Sequence, residues 1–169
     1  MTPKKIKKTL TVSETSTTTS NRIPARIVVD DPMFIPMYKT AGAACCDLVA
    51  NIPPDGNGRP EIKLLPGRQA MVDCGFSMAL EPGWEAQSRC RSGMANSGIQ
   101  LTNGVGTLDD DFRGRVCVLL NNVGKDIVVI KHGDRVAQMA LKPVYYFNWN
   151  IVTELDATDR GEGGFGSTG

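Results

Sequence analysis

Asn103-Gly-Val-Gly-Thr-Leu-Asp-Asp-Asp-Phe-Arg-Gly-Arg-Val116 stands near the middle of the chain. Gly104 and Gly106 alternate with Val105 and Thr107, and then three carboxylates follow in a row. Apolar, strand-like sequence runs on from Val116 to Leu120. The stretch reads as a β-hairpin or β-arch whose glycines let backbone approach a ligand closely. Asp109, Asp110 and Asp111 then occupy a bend from which side chains reach a cleft. The same residues also suit a solvated acidic turn, because Asp and Gly favour turns for local reasons.

Working outward, short apolar runs recur on both sides, separated by turn residues. Strands are expected over 26–29, 45–50, 61–65, 69–80, 84–90, 99–101, 116–121, 127–131 and 135–141. Pro53-Pro-Asp-Gly-Asn-Gly58, Pro66-Gly67, Pro82-Gly83, Asn122 to Lys125 and His132-Gly133 supply the turns. One helical turn is expected over 93–97, capped by Ser92 and stopped by Gly98. Many short strands with a single short helix predict an all-β fold, a jelly-roll-like barrel.

The chain has 169 residues, enough for one domain with a sizeable core. No apolar run approaches the length of a membrane span, and no secretory signal opens the chain, so no membrane role is expected. Net charge is +1; residues 1–20 hold four lysines against one glutamate, or +3, which leaves −2 for the rest. A near-neutral body argues against general nucleic-acid binding, which needs a basic face. Small phosphorylated ligands need only a few placed cations. The five cysteines form no CxxC pair, so neither a disulfide framework nor a zinc site is expected. A cytoplasmic or other reducing compartment fits that usage, and a viral or phage origin fits equally.

Residues 1–22 are expected to form a disordered tail, 23–156 the folded domain and 157–169 a flexible arm. The arm holds a literal GxGxxG at Gly161, Gly163 and Gly166. No strand leads into it and no helix can follow, so it is no dinucleotide site. Its glycines, with Arg160, Ser167 and Thr168, can still wrap a phosphate chain or simply remain loose. His132, the one histidine, is expected at the surface.

Two further features carry chemistry. Arg91-Ser92-Gly93 offers a guanidinium, a hydroxyl and a free amide, the groups that bind a phosphate. Gln138 shares a strand face with Val136 and Ala140, so it is either hydrogen-bonded in the core or turned into a site.

In order along the chain, five motifs resemble those of the trimeric dUTP diphosphatases (dUTPases). They are Asp47-Leu48, Arg91-Ser-Gly-Met-Ala95 with Gly98-Ile99, Gly106-Thr-Leu-Asp-Asp-Asp-Phe-Arg-Gly114, Gly133-Asp-Arg-Val-Ala-Gln138 and Arg160-Gly-Glu-Gly-Gly-Phe-Gly-Ser-Thr168. The resemblance spans 23–169. It implies a jelly-roll homotrimer with sites at subunit junctions and a C-terminal arm exchanged between subunits. It implies hydrolysis of dUTP to dUMP and pyrophosphate, which keeps uracil out of DNA and supplies dUMP for thymidylate synthesis.

By that resemblance, Asp109 is the base for an attacking water and Gln138 lies near the α-phosphate. Arg91, Ser92, Gly93 and Arg160 would bind phosphates, with Gly166, Ser167 and Thr168 of the arm beside them. Asn103, Gly106, Thr107 and Leu108 would shape the uracil pocket, and Phe165 would stack on the base. Phe112 stands where the family usually has Tyr. Mg2+ would be the cofactor, touched by Asp47 through water. Asp110 and Asp111 fall at variable positions and are expected to have no catalytic role. Cys45 and Cys90 replace a common Gly and Pro. A related deaminase would carry a glutamate where Asp109 stands, and a dUTP-sensing module would keep the pocket without turnover.

Overall fold

The computed structural model describes residues 22–166. The expected tail therefore lies outside the described residues except for Arg22, as do Ser167 and Thr168. Ten strands form: β1 (Ala25–Val29), β2 (Cys46–Val49), β3 (Glu61–Leu64), β4 (Gln69–Leu80), β5 (Trp84–Arg89), β6 (Ile99–Leu101), β7 (Gly106–Leu108), β8 (Arg115–Asn122), β9 (Val128–Lys131) and β10 (Arg135–Pro143). They pair antiparallel in two four-stranded sheets, β1-β4-β8-β6 and β2-β10-β5-β7, with β3-β9 as a small third sheet.

Strand alternation explains the core. Val72, Cys74 and Phe76 of β4 and Val116, Val118 and Leu120 of β8 face inward. They join Leu48 of β2, Ala86 of β5 and Val136 of β10 in one buried cluster. Burial of this apolar surface, at roughly 25 cal/mol per Å2, is the main term holding the two sheets together. Two polar side chains are buried with them, Ser88 and Asn122. Asn122 is satisfied: its amide donates to the Leu64 and Asp126 carbonyls, and its oxygen accepts the Gly124 N–H.

The all-β expectation holds, with three local differences. The helical turn, α1, runs Ser92–Asn96; Arg91 is its N-cap and no side chain caps it, so Ser92 is its first residue rather than its cap. Gly98 ends it as expected. Residues 106–108 form a strand in their own right, because β5 offers them a free edge. A 3-10 turn at Pro32–Phe34, which no periodicity signals, seats Phe34 in the interior. His132 is exposed, as expected, but it is fixed: its ring meets Phe34 edge-on at 5.4 Å and its Nδ1 lies 3.2 Å from the Ile52 N–H nitrogen.

Beyond Pro143 no strand or helix forms among the described residues. Residues 144–166 nevertheless carry large apolar side chains in the open. Tyr145 is 87% exposed, Trp149 77% and Ile151 96%. Such a row is unusual on a lone domain.

Candidate active site

The second sheet sets the site. Gln138 lies in register with Asp47 of β2 on one side and Arg89 of β5 on the other. Directly opposed residues share a face, so the three side chains line up across adjacent strands. Gln138 is half-buried, and its amide donates to the Cys90 carbonyl at 2.9 Å, which turns it toward Arg91. Of the two readings open to it, the residue thus takes both: it is hydrogen-bonded, and it borders the cluster.

Arg91 leaves β5 just before α1. Its Nε meets Asp47 Oδ1 at 3.0 Å, and its Nη1 donates to the Arg135 carbonyl at 2.9 Å. Arg135 donates in turn to Asp47 Oδ2 at 3.0 Å. Asp47 is thus shared by two guanidiniums, with only 12% of its side chain exposed. Charge-assisted bonds of this kind are about twice as strong as neutral ones. Ser92 and Gly93 are exposed beside Arg91. Arg91, Arg135, Met94 and Asp134 border a cleft of about 280 Å3 floored by β9.

Arg135 was assigned no role from sequence. Its distance from Gln138 puts it on the opposite face of a regular strand. The register shifts between Arg135 and Ala137, and this irregularity in β10 brings Arg135 to Asp47. Arg89 escaped notice as well, since only register reveals that it faces Gln138.

The hairpin residues lie elsewhere. Gly106, Thr107 and Leu108 form β7 and pair with Ser88, Gln87 and Ala86. The Ser88 hydroxyl donates to the Gly106 carbonyl at 3.2 Å and fills the space a Cβ would need there. Asn103 is exposed, with its side-chain nitrogen close to the same glycine. Asp109 continues past Leu108, level with Glu85, and is exposed. Glu85 and Arg91 are six residues apart on one extended run. At about 3.3 Å per residue, Asp109 is on the order of 20 Å from Arg91 along the strand.

The turn after Asp109 is tightly held. The Phe112 N–H donates to the Asp109 carbonyl at 3.2 Å, and Arg113 Nη1 donates to the carbonyls of Asp110 and Phe112. Gly114 has no Cβ, and one placed there would stand 2.5 Å from the tip of the Phe112 ring. The ring is about half exposed.

The described arm residues bond within their own turn. Arg160 Nε donates to the Gly163 carbonyl of its own turn at 2.9 Å. Phe165 is fully exposed at φ 51°, and Gly166 follows in the left-handed region. One chain therefore brings together Asp47, Arg91, Arg135 and Gln138, but neither Asp109 nor the arm with them.

Among the described residues, no group of three His, Cys, Asp or Glu side chains is placed to hold a metal ion. A carboxylate has about four acceptor positions, so Asp47 keeps capacity for a metal-bound water beside its two arginines. This suits a cation carried mainly by phosphates, as magnesium is, rather than one caged by protein.

Comparison with known proteins places the chain in a family. The family model described as dUTPase matches residues 31–169. The deoxyuridine 5'-triphosphate nucleotidohydrolase of Desulfotalea psychrophila is 44% identical over 140 residues, 82% of this chain and 89% of that protein. The Caulobacter vibrioides enzyme of the same name is 46% identical over 136 residues, covering 80% and 85%. Among solved structures, the dUTPase of Staphylococcus bacteriophage 80alpha with dUpNHpp superposes with a TM-score of 0.70 at 18% identity, covering 89% of this chain and 99% of that one. A mutant dUTPase from phage phi11 of S. aureus, described with a structural Mg(II) ion, gives 0.66 at 14% identity, covering 79% and 99%. By the family match and by identity over most of its length, this chain belongs to the dUTPase family.

Proposed function

We infer that this chain is a dUTP diphosphatase: it hydrolyses dUTP to dUMP and pyrophosphate by attack of water at the α-phosphorus. The observation that carries the reading is the convergence of Asp47, Arg91 and the pair Arg135 and Gln138 from three separate motifs on one face. It supplies cations and an amide to a phosphate chain, within a family defined by this substrate.

Asp109 is the general base that takes the water's proton, and Gln138 positions the α-phosphate. General-base help contributes roughly 100- to 10,000-fold; alignment and charge stabilisation supply the remainder. Arg91, with Ser92 and Gly93, binds the phosphates, and Asp47 orients Arg91 from behind. When bound, Mg2+ would neutralise phosphate charge, with Asp47 accepting one of its waters. Asn103, Gly106, Thr107 and Leu108 border the uracil. Phe112, which has no phenolic hydroxyl, lies under the deoxyribose, where an apolar ring disfavours a 2'-hydroxyl. Arg160, Phe165, Gly166, Ser167 and Thr168 close over the nucleotide.

The separation of roughly 20 Å between Asp109 and Arg91 supports a site shared between subunits of a homotrimer. One subunit supplies Arg91 and Gln138, a second supplies Asp109, and a third sends its arm. The exposed apolar run from Tyr145 to Leu155 is the segment that neighbours would cover. The free edge of β1 is a suitable place for it to pair. Residues 1–22 serve as a tail, 23–156 as the folded domain and 157–169 as the arm. Five unpaired cysteines suit a reducing compartment, and no helix among the described residues is long and apolar enough to cross a membrane.

A pyrophosphate-release assay tests the reading. With Mg2+, dUTP is turned over far faster than dTTP, dCTP or UTP. Equal turnover of dTTP removes the uracil pocket, and ammonia from dCTP replaces the activity with deamination.

A further inference from the structure

The middle carboxylate of the acidic run makes a contact that links two turns. Asp110 is half-buried, and its Oδ2 accepts the Gly83 N–H at 2.9 Å. Gly83 lies in the β4–β5 turn at φ 83°, in the left-handed region where glycine is favoured. Its carbonyl accepts the Val144 N–H at 2.9 Å, just past the last β10–β5 pair, Pro143 with Trp84. Gly83 is therefore fixed on both sides, and its N–H direction is set by the end of the sheet.

At its far end the turn that holds Asp110 runs into Arg115, which opens β8, pairs with Ser77 of β4 and is bonded to Asp30 and Asp73; its near end, beside Asp109, has fewer ties. It follows β7, which is three residues long and paired only to β5. Its other bonds, from Arg113 to the carbonyls of Asp110 and Phe112 and from the Phe112 N–H to the Asp109 carbonyl, are internal. Internal bonds fix the turn's shape, and the Arg115 network places its far end, four residues beyond Asp111. The Asp110–Gly83 bond joins the near end to the sheet one residue from Asp109.

We infer that Asp110 is a positioning residue for the hydrolytic step: through Gly83 it anchors the turn that aims Asp109 at the attacking water. This rests on Asp109 being the general base. Asp110 does not touch substrate. What it supplies is an acceptor, not a charge, so an amide oxygen at the same position serves as well. The functions of the two neighbouring carboxylates thus differ in kind: Asp109 must change protonation state, and Asp110 must only accept one N–H.

The test compares Asp110→Ala, Asp110→Asn and Asp109→Asn in steady-state turnover of dUTP, with thermal melting of each. Asp110→Ala is expected to lower kcat about 10- to 100-fold, since misplacing a reacting group by about 1 Å costs this much, with KM nearly unchanged. Asp110→Asn restores kcat to near the original. In the Asp109→Asn background, adding Asp110→Ala lowers kcat no further, because the group being aimed is already gone. Unchanged kcat in Asp110→Ala, or equal loss in Asp110→Ala and Asp110→Asn, overturns the anchoring role. So does a loss confined to KM or a loss that tracks a fall in melting temperature. Full turnover by Asp109→Asn overturns the base assignment itself, and a dead Asp109→Asn beside an unaffected Asp110→Ala removes only the anchor.

Discussion

Arg91 and Asp47 meet at 3.0 Å, Nε to Oδ1, although Arg91 is the N-cap of α1 and Asp47 lies in β2. Arg135 takes the second carboxylate oxygen at the same distance. The pair sets the direction of Arg91, and the guanidinium proposed to bind phosphate is held in place without a ligand.

The first prediction follows from that order. Asp47→Ala frees both arginines, and the rotamer freedom then has to be lost on binding. Hydrogen bonds to charged groups contribute about 1.5–3 kcal/mol each, so KM for dUTP is expected to rise about 10- to 100-fold. Steady-state kinetics over a range of Mg2+ concentrations measure it. If the loss disappears at high Mg2+, Asp47 acts through the cation and not through Arg91.

The fold was legible because period-2 alternation survives wherever a strand has one buried face. β4 and β6 appear with the bounds the sequence implied, and the other expected strands differ by one or two residues at an end. What stayed hidden was set by register and irregularity. The β10 shift that brings Arg135 to Asp47 has no local signature. Neither has the Asp110–Gly83 contact, whose partners stand 27 positions apart. The candidate site residues stand in legible motifs, but the separation of Asp109 from Arg91 emerged only from the β5–β7 pairing.

A second prediction concerns Arg115. It donates to both Asp30 and Asp73, with Asn51 also donating to Asp30. The link joins the end of β1 to β4 and β8. Bonding to these two carboxylates raises the guanidinium's pKa, so the cation persists at any working pH. Arg115→Met removes the link but keeps much of the stem. The groups are partly exposed, so solvent screening reduces the effect, and a loss of about 1 kcal/mol is expected. Urea denaturation reads it directly, and no change would reduce the network to surface decoration.

The third prediction is alkaline sensitivity. Burial pushes the Cys46 thiol up to about 11 and the Cys74 thiol up to about 12. An unfolded thiol ionises near 8.5. Between these values the folded chain holds protons that the unfolded chain has released, so stability falls as pH rises. The contribution is intact below about pH 8.5 and declines through the pH range up to the folded values. Denaturation midpoints measured from pH 8 to 10.5 should slope downward, and Cys74→Ala should flatten the slope. A steeper slope in that variant would rule out thiol burial as the cause.

The last prediction tests the division of the site between subunits. Asp109 and Arg91 lie on the order of 20 Å apart along the β5 direction, and Arg160 of the arm bonds within its own turn. A chain lacking residues 160–169 keeps every strand of the body, so it is expected to fold and to assemble with three times the mass of the truncated subunit, which is lighter than the full 18.2 kDa chain. Its turnover should fall steeply, because Arg160 and Phe165 no longer close the site and exclude bulk water. A subunit with Asp109→Asn should be inactive alone, since the amide cannot take the water's proton. Mixed and reassembled, the two defective chains can place an intact arm and an intact Asp109 at one site, and partial activity should return. Turnover that stays at the level of the separate variants, in a mixture shown by mass to contain mixed trimers, would mean that arm and base serve the same subunit.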